Sequence, residues 1–316
     1  MEYLTDVLLI GRLLIDRYYV LKDFPIRGQE AVITDSFERV GGCTFNAAAT
    51  IKNLGGDPLI LSPICNDERG RLIQSTLQAK GFKDNLLFPM EGATEYCVAL
   101  LDGAGERTFL TYSGSQFLLT DEILQSALQA RPAYVHLSGY SLVEYENAGR
   151  IITLLEGLKA GGSKIFFDPS PLCKEIKREV LKKVIKLADI FCPNKKEMQA
   201  IGEYLHWKKD LTAQSNLKGG RMVVVKDGLH GATGFDERVI TSVPAFPVAT
   251  VDSSGAGDSF AGGLLYALLK ESNLRSTVIM ACACGALTAA MLGPQIDFTQ
   301  EDINEFINLD RNSKNV

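Results

Sequence analysis

Apolar runs rich in β-branched and aromatic residues recur along the chain and alternate with longer stretches of helical period. Short continuous apolar runs indicate buried strands, whereas apolar residues spaced by three and four indicate amphipathic helices. Strands that alternate with helices predict a mostly parallel sheet, because parallel strands need crossover connections. The predicted strands are residues 7–10, 59–61, 134–137, 164–167, 189–191 and 222–225, and the clearest predicted helices are residues 68–79, 144–160 and 175–187.

Two regions, residues 16–40 and 94–112, break this rhythm. They alternate in a two-residue period with no helix between their segments, which is typical of antiparallel strands. Residues 95–101 and 107–111 predict a hairpin, and a small β lid over one end of the α/β layer would contain both regions. No linker or repeat divides the chain, so we predict a single domain over residues 1–316 with lid segments near 16–40 and 94–112.

Composition and charge narrow the classes of function. The chain has 316 residues and a formal net charge of -5, so it can build a large core and is a poor candidate for clamping a nucleic-acid backbone. Its seven cysteines are scattered without a zinc-type pair of pairs, which predicts free thiols in a reducing compartment. The start lacks the basic character of a targeting segment, and no apolar run reaches about 18 residues. We therefore expect a soluble, cytoplasmic protein with neither a nucleic acid nor a membrane as partner.

The strongest local signal is residues 251–260, Val-Asp-Ser-Ser-Gly-Ala-Gly-Asp-Ser-Phe, which open directly into an apolar helical run. Free amides at a helix N-terminus stabilise an anion, and glycine lets the backbone approach it closely. We predict that Gly255, Ala256 and Gly257 form an anion cradle and that Asp258 accepts a proton from an attacking hydroxyl, as phosphoryl transfer requires. The alternative is that Asp258 or Ser259 merely caps the helix.

This stretch resembles the C-terminal signature of the ribokinase-like (PfkB) carbohydrate kinases, with Ser253 in place of the usual threonine. The resemblance extends over nearly the whole chain and implies a three-layer α/β/α fold with a small β-sheet lid. It also implies an ATP-dependent kinase that phosphorylates a hydroxyl, expected to be a primary one, of a sugar or sugar derivative. Three further elements are similar to this family: Gly41, Gly42 and Asn46 of the N-terminal signature, Asn194 and Glu197 of an Asn-x-x-Glu element, and the glycine turn around Lys226, Gly228 and Gly231.

The resemblance also assigns roles to individual residues and implies Mg²⁺ as a cofactor. Relatives often pair through their lids, which implies a possible homodimer. The implied acceptor-binding residues are Asp16, Gly41, Gly42, Asn46 and Arg107; the implied nucleotide-binding residues are Asn194, Lys226, Gly228, Gly231 and Cys282; and the implied cation-binding residues are Glu197 and Asn194 for Mg²⁺ through water, and Asp252 for a monovalent cation such as K⁺.

Most of these residues also have a purely structural interpretation. Asp16 could be a turn residue or form a salt bridge with Arg12 or Arg17, and Asp252 could serve only its turn. Asn194 and Glu197 stand three apart at a predicted helix start, where they could form a capping pair. Arg107 could be a surface arginine.

Two departures from the family pattern bear on the acceptor. Cys43 and Thr44 follow the paired glycines where ribokinases commonly have lysine and glycine, and Arg12 replaces a small residue. Ribose is therefore in doubt, and arginines near this end could favour a sugar acid or sugar phosphate, or could face solvent: Arg12, Arg17, Arg27 and Arg39.

Three other functions stay open from the sequence. A nucleoside kinase of the same family, of the adenosine, inosine or pseudouridine type, would use the same residues. A dinucleotide-dependent oxidoreductase would need a G-x-G-x-x-G turn after the first strand, which is missing. A non-catalytic sugar-binding protein would not need Asp258.

Overall fold

The structure is a computed structural model that describes residues 3–82, 86–102, 107–114, 118–207, 221–294 and 297–313. Its strands are β1 (Thr5–Ile10), β2 (Leu14–Leu21), β3 (Ile33–Gly41), β4 (Pro58–Cys65), β5 (Leu86–Met90), β6 (Tyr96–Leu101), β7 (Arg107–Tyr112), β8 (Pro132–Ser138), β9 (Lys164–Asp168), β10 (Ile190–Phe191), β11 (Met222–Lys226), β12 (Ala232–Phe235) and β13 (Ile240–Val243). Its helices are α1 (Cys43–Asn53), α2 (Glu68–Ala79), α3 (Asp121–Gln129), α4 (Tyr145–Ala160), α5 (Arg178–Leu187), α6 (Lys195–Tyr204), α7 (Ala256–Leu269), α8 (Leu274–Ala289) and α9 (Gln300–Ser313).

The main sheet has the strand order β13-β12-β11-β10-β9-β8-β1-β4-β5 within the described residues. The parallel part of this sheet contains β11, β10, β9, β8, β1, β4 and β5, and the antiparallel strands β12 and β13 form one edge. The prediction of a mostly parallel sheet is therefore confirmed. Several predicted boundaries differ from the structure by a few residues. Helix α5 starts at Arg178 rather than at residue 175, because Lys177 is extended with ψ 136°, and β10 starts at Ile190 rather than at residue 189.

Helices cover both faces of this sheet, as the alternation of side chains along its strands requires. In β1, Val7 and Leu9 belong to the core cluster formed with α1, α7 and α8, whereas Leu8 and Ile10 belong to the cluster formed with α3 to α6. The expected three-layer α/β/α arrangement is therefore confirmed. No helix in the described part of the chain is both long and apolar enough to cross a membrane.

The lid is a separate sheet with the order β3-β2-β6-β7. The antiparallel pairs β2–β3 and β6–β7 agree with the alternation in the sequence, and Leu101 pairs with Arg107 next to the predicted hairpin turn. The pairing of β2 with β6 is parallel, which the sequence pattern did not indicate. Between these two strands the chain forms β3 and then returns to the main layer through α1, β4, α2 and β5.

Polar side chains join the lid to the main layer, and two of them make several such contacts. Arg12, just after β1, donates to Glu95 Oε2 at 3.1 Å before β6 and also pairs with Glu144 at the start of α4. Asp67 caps α2 by accepting from the Gly70 amide at 2.7 Å, and it accepts from the Thr94 amide at 2.8 Å and the Thr94 hydroxyl at 2.6 Å. These contacts position the lid over the carboxyl ends of the parallel strands.

Candidate active site

A cavity of about 810 Å³ opens where the parallel strands end, between the main sheet and helices α7 and α8. The carboxyl ends of the strands are where open α/β sheets bind their ligands. The residues predicted from the sequence that line this cavity are Asn194, Glu197, Lys226, Gly228, Gly231, Ala256, Gly257, Asp258 and Cys282.

A tight turn at Gly255 starts helix α7 at the cavity wall. Gly255 is the N-cap residue with φ 71°, and a Cβ there would lie 2.5 Å from Pro294 Cβ, so both its conformation and its surroundings require glycine. The Ala256 amide donates to Ser253 O at 3.3 Å, so one of the three predicted amides also closes the turn. Since Gly257 lines the cavity, the positive end of α7 faces the space where an anion would bind.

Asp258 lies in the first turn of α7. It does not cap the helix, because the N-cap residue is Gly255 and no side chain makes a capping hydrogen bond there. Its Oδ2 accepts from Asn46 Nδ2 at 2.8 Å, and the Cys43 thiol donates to the same carboxylate. Burial raises the pKa of Asp258, and these two hydrogen bonds oppose that rise. The alternative that Asp258 or Ser259 is only a cap is thus not supported, since Ser259 bonds Thr50 Oγ1 at 3.3 Å instead.

Asn46 is buried in α1, and its two polar side-chain atoms have different surroundings. Its Nδ2 is used by Asp258, whereas its Oδ1 has no hydrogen-bond partner within the described part of the chain. Gly42, which precedes this helix, is its N-cap residue. Asn46 therefore orients the carboxylate of Asp258.

Asp16 lies on β2 beside Gly41. A Cβ on Gly41 would lie 1.9 Å from Asp16 Oδ2, so the glycine leaves the space that this carboxyl occupies. The pKa of Asp16 is raised to about 7, first by burial and then by the negative charges of Asp258, Asp252 and Glu95. A carboxyl with this pKa is half ionised near neutrality.

The arginines that were candidates for an anionic acceptor pair with other groups or face solvent. Arg12 pairs with Glu95 and Glu144, and Arg17 pairs with Glu38, so the predicted alternative of a salt bridge from either of them to Asp16 is not found. Arg39 donates to Leu292 O at 3.1 Å, and Arg27 is exposed. Arg107 lies on β7 opposite Leu101, and its side chain falls outside the described residues.

Asn194 and Glu197 form a reciprocal capping box at the start of α6. Asn194 Oδ1 accepts from the Glu197 amide at 2.8 Å, and Glu197 Oε2 accepts from the Asn194 amide at 2.8 Å. The capping alternative is therefore present in the structure, although both residues also line the cavity. Burial and the charge of Asp168 raise the pKa of Glu197. The carboxylates of Glu197 and Asp168 both face this cavity. Such a pair is suited to Mg²⁺, which proteins bind through one or two carboxylates together with phosphate oxygens.

Lys226 ends β11 and forms a buried ion pair with Asp168 at the end of β9. The Nζ–Oδ2 distance is 2.6 Å, and the side chains are 14% and 13% exposed. Burial lowers the pKa of Lys226, but the charges of Asp168, Cys192 and Glu197 and the hydrogen bond to Asp168 more than offset this, so its pKa is raised and it carries an ammonium.

Several lining residues were not identified from the sequence: Cys43 as part of the cavity, His136, Ser138, Tyr140, Asp168 and Ser170. Asp168 had a signal, because it is the first polar residue after the apolar run 165–167 and so stands at the carboxyl end of a buried strand. His136 had none. Burial lowers the pKa of His136 to about 4, so it is neutral, and it stacks on Phe166 with ring centroids 5.4 Å apart.

Asp252 and Cys282 complete the predicted set. Asp252 is fully buried, and it accepts from the Ser254 amide at 2.7 Å and the Gly293 amide at 2.9 Å, so its turn role is present. Cys282 lies on α8 and lines the cavity with Gly285 and Ala286.

Comparison with known proteins identifies the class of this chain. Residues 4–301 match the model of the pfkB family of carbohydrate kinases, so the chain belongs to that family. It is a phosphotransferase that acts on a hydroxyl of a sugar or sugar derivative, and the sequence-based identification of the family is confirmed.

Relatives and solved structures agree with this class. The chain is 26% identical to the "uncharacterized sugar kinase YegV" of Escherichia coli, over 94% of this chain and 92% of that protein. It is 28% identical to the "probable fructokinase-7" of Arabidopsis thaliana, over 83% of this chain and 82% of that protein. A proposed ribokinase II of Escherichia coli, solved with ATP and Mg²⁺, shares the fold with a TM-score of 0.83 at 23% identity, over 97% of this chain and 100% of that one.

The raised pKa of Asp16 has a measurable effect on stability. Between pH 4 and 7 the unfolded chain ionises this carboxyl while the folded protein keeps it protonated, so its contribution to the free energy of unfolding decreases as the pH rises. We expect Asp16→Asn to gain roughly 4 kcal/mol relative to wild type between pH 4 and 8, because a rise of about three pKa units is worth about 1.4 kcal/mol per unit. Urea denaturation at both pH values measures this, with Asp23→Asn, an exposed lid position, as control. A gain of the same size in the control would contradict the assignment.

Proposed function

We propose that the cavity is the active site of an ATP-dependent kinase in which Asp258 is the general base. The observation that carries this proposal is the carboxylate of Asp258, oriented by Asn46 at 2.8 Å and placed at the amino end of α7 inside the cavity. A base and a set of anion-binding amides side by side are what an in-line phosphoryl transfer needs.

In the proposed reaction, Asp258 takes the proton of the acceptor hydroxyl. The oxygen then forms a bond to the γ-phosphorus of ATP, and the bond from that phosphorus to the bridging oxygen breaks, which leaves ADP. The amides at Gly255, Ala256 and Gly257 bind the charge that accumulates on the transferred group. The raised pKa of Asp258 suits this role, because a base works best when its pKa approaches the working pH.

The acceptor lies under the lid in this proposal. Asp16 and Asn46 accept hydrogen bonds from its hydroxyls, and Gly41 and Gly42 allow close approach of the backbone. The unpartnered Asn46 Oδ1 and the partly ionised Asp16 support this assignment. The lid would also exclude water, which suppresses ATP hydrolysis.

ATP extends along the other half of the sheet, past Asn194, Lys226, Gly228 and Gly231 to Cys282 on α8. These residues fit Mg²⁺ as well, and Glu197, with Asn194 through water and with Asp168 nearby, would hold it. When bound, Mg²⁺ neutralises phosphate charge. The described residues contain no group of three His, Cys, Asp or Glu side chains able to hold a metal by themselves.

Two further features stay proposals. A monovalent cation such as K⁺ near Asp252 is supported by that buried carboxylate, and equal activity in K⁺ and in a bulky organic cation would count against it. A homodimer through the lid is supported by exposed apolar side chains on β7, namely Phe109, Leu110 and Tyr112, and sedimentation as a monomer at micromolar concentration would exclude it.

Removal of the base tests the mechanism. We expect Asp258→Asn to lower kcat by about 10²-fold or more while nucleotide binding is largely kept, because asparagine preserves the shape but cannot take the proton. A coupled assay of ADP release measures kcat, and calorimetry measures nucleotide affinity. Asp35→Asn on the exposed face of β3 is the matched control and should keep wild-type turnover. Undiminished turnover in Asp258→Asn would refute the proposed mechanism.

The charges near Asp16 lead to a second expectation, about the acceptor. Arg12 and Arg17 are paired with carboxylates, and Asp16, Glu95 and Asp258 are acidic, so neutral sugars should be better acceptors than sugar acids or sugar phosphates. A screen of ATP consumption across neutral sugars, sugar acids, sugar phosphates and nucleosides measures this. We expect kcat/KM at least about 10-fold higher for the best neutral acceptor, and a sugar phosphate as best acceptor would contradict the assignment.

A further inference from the structure

A contribution to protein stability does not by itself explain the position of the ion pair between Lys226 and Asp168. Both side chains are nearly buried, yet both line the cavity rather than the core. A buried ion pair adds little to the free energy of unfolding, because the loss of hydration offsets the attraction between the charges. A paired ammonium at a cavity wall therefore points to a ligand that uses it.

The ammonium of Lys226 has donors to spare. It can donate three hydrogen bonds, and within the described part of the chain it makes one, to Asp168 Oδ2 at 2.6 Å. It also lies beside the first turn of α7, since a Cβ on Gly257 would be 3.9 Å from Lys226 Nζ. A full positive charge and the positive end of a helix thus meet next to Asp258.

A second polar group in the same cavity has no hydrogen-bond partner within the described residues. Ser170 follows β9 by two residues, lines the same cavity and has a buried Oγ with no hydrogen-bond partner among the described residues. Its φ of 66° is in the left-handed region, which costs a non-glycine residue about 1 kcal/mol or more. Strain and an unpartnered buried hydroxyl at one place indicate that a bound ligand completes the hydrogen bonds here.

The groups that face Lys226 come from each neighbouring element. They are Asp168 of β9, Glu197 of α6, Asp258 of α7, Cys192 after β10 and the neutral His136 of β8. Lys226 is the one cationic side chain in this set of groups. A phosphoryl group bound there would therefore meet its ammonium.

We propose that Lys226 binds the terminal phosphoryl group of the nucleotide next to Gly257 and that Asp168 is the positioning residue that holds its ammonium there. This assignment rests on the proposed function, since it takes the cavity to be the nucleotide site. The position beside Asp258 assigns Lys226 to the terminal phosphoryl, because the group that is transferred must lie close to the base. The apolar wall around Phe246, Val248 and Ala289 lines the same cavity and offers the nucleobase a surface.

Comparison of two nucleotides tests the assignment. We expect Lys226→Met to weaken binding of the non-hydrolysable triphosphate analogue AMP-PNP, with Mg²⁺, by about 10-fold or more, while Mg–ADP changes by less than about 3-fold, and to lower kcat by about 10²-fold. Lys226→Arg, which keeps the charge, should recover part of both losses. Asp168→Asn should lower kcat by about 10-fold with a smaller loss of AMP-PNP affinity, because the ammonium is kept but no longer held.

The matched control is Lys195→Met. Lys195 pairs at 2.9 Å with Asp227, which is the residue after Lys226 in the sequence. The side chain of Lys195 is 70% exposed and lies outside the cavity, so the Lys195→Met variant should keep wild-type binding and turnover. Lys226→Met leaves Asp168 buried without a counter-charge and could unfold the protein. The double variant Asp168→Asn/Lys226→Met removes both charges and should show the same selective loss of AMP-PNP affinity.

The possible outcomes separate this inference from the proposed function. An equal loss for AMP-PNP and ADP, or no loss for either, overturns the assignment of Lys226 to the terminal phosphoryl group. A wild-type protein that binds neither nucleotide and phosphorylates no acceptor refutes the proposed function itself. Selective loss in both the single and the double variant supports the assignment.

Discussion

The hydrogen bond between Asn46 and Asp258 is the contact on which the rest of the site depends. It joins α1 to α7 across 212 positions of sequence and brings the residues proposed to bind the acceptor to the carboxylate proposed as the base. The helices can come this close because their contact is made of small residues. A Cβ on Gly262 would lie 2.7 Å from Ala47 O and 2.7 Å from Thr50 Cβ, so a larger residue there would push α7 away from Asn46.

Local pattern was sufficient to predict most of the main layer. Continuous apolar strands such as β9 and β11 are buried on both faces, and this burial appears directly as composition. The parallel pairing of β2 with β6 could not be predicted in that way, because it is set by where the chain leaves and re-enters the main layer. The residues at Gly255 to Asp258 were visible because glycine, a helix start and a carboxylate stand together in sequence.

The rest of the site is made by tertiary contacts. Asp168 and Lys226 lie in different strands, and only the order of the sheet, with β10 between β9 and β11, brings them within 2.6 Å. Cys43 illustrates the same limit. Its identity marked a departure from the family pattern, but its contact with Asp258 depends on how α1 packs against α7. Conversely, the capping box of Asn194 and Glu197 shows that one pair of side chains can satisfy a helix start and still line a cavity.

The parallel pairing within the lid has a topological consequence. The lid consists of two separate excursions, Leu14–Leu21 with Ile33–Gly41 and Tyr96–Leu101 with Arg107–Tyr112, and strands of the main layer lie between them in sequence. No continuous piece of chain therefore contains the lid without also containing part of the main sheet. The lid is not a module that could be removed or exchanged as a cassette, and a chimera with a relative would have to replace both excursions together.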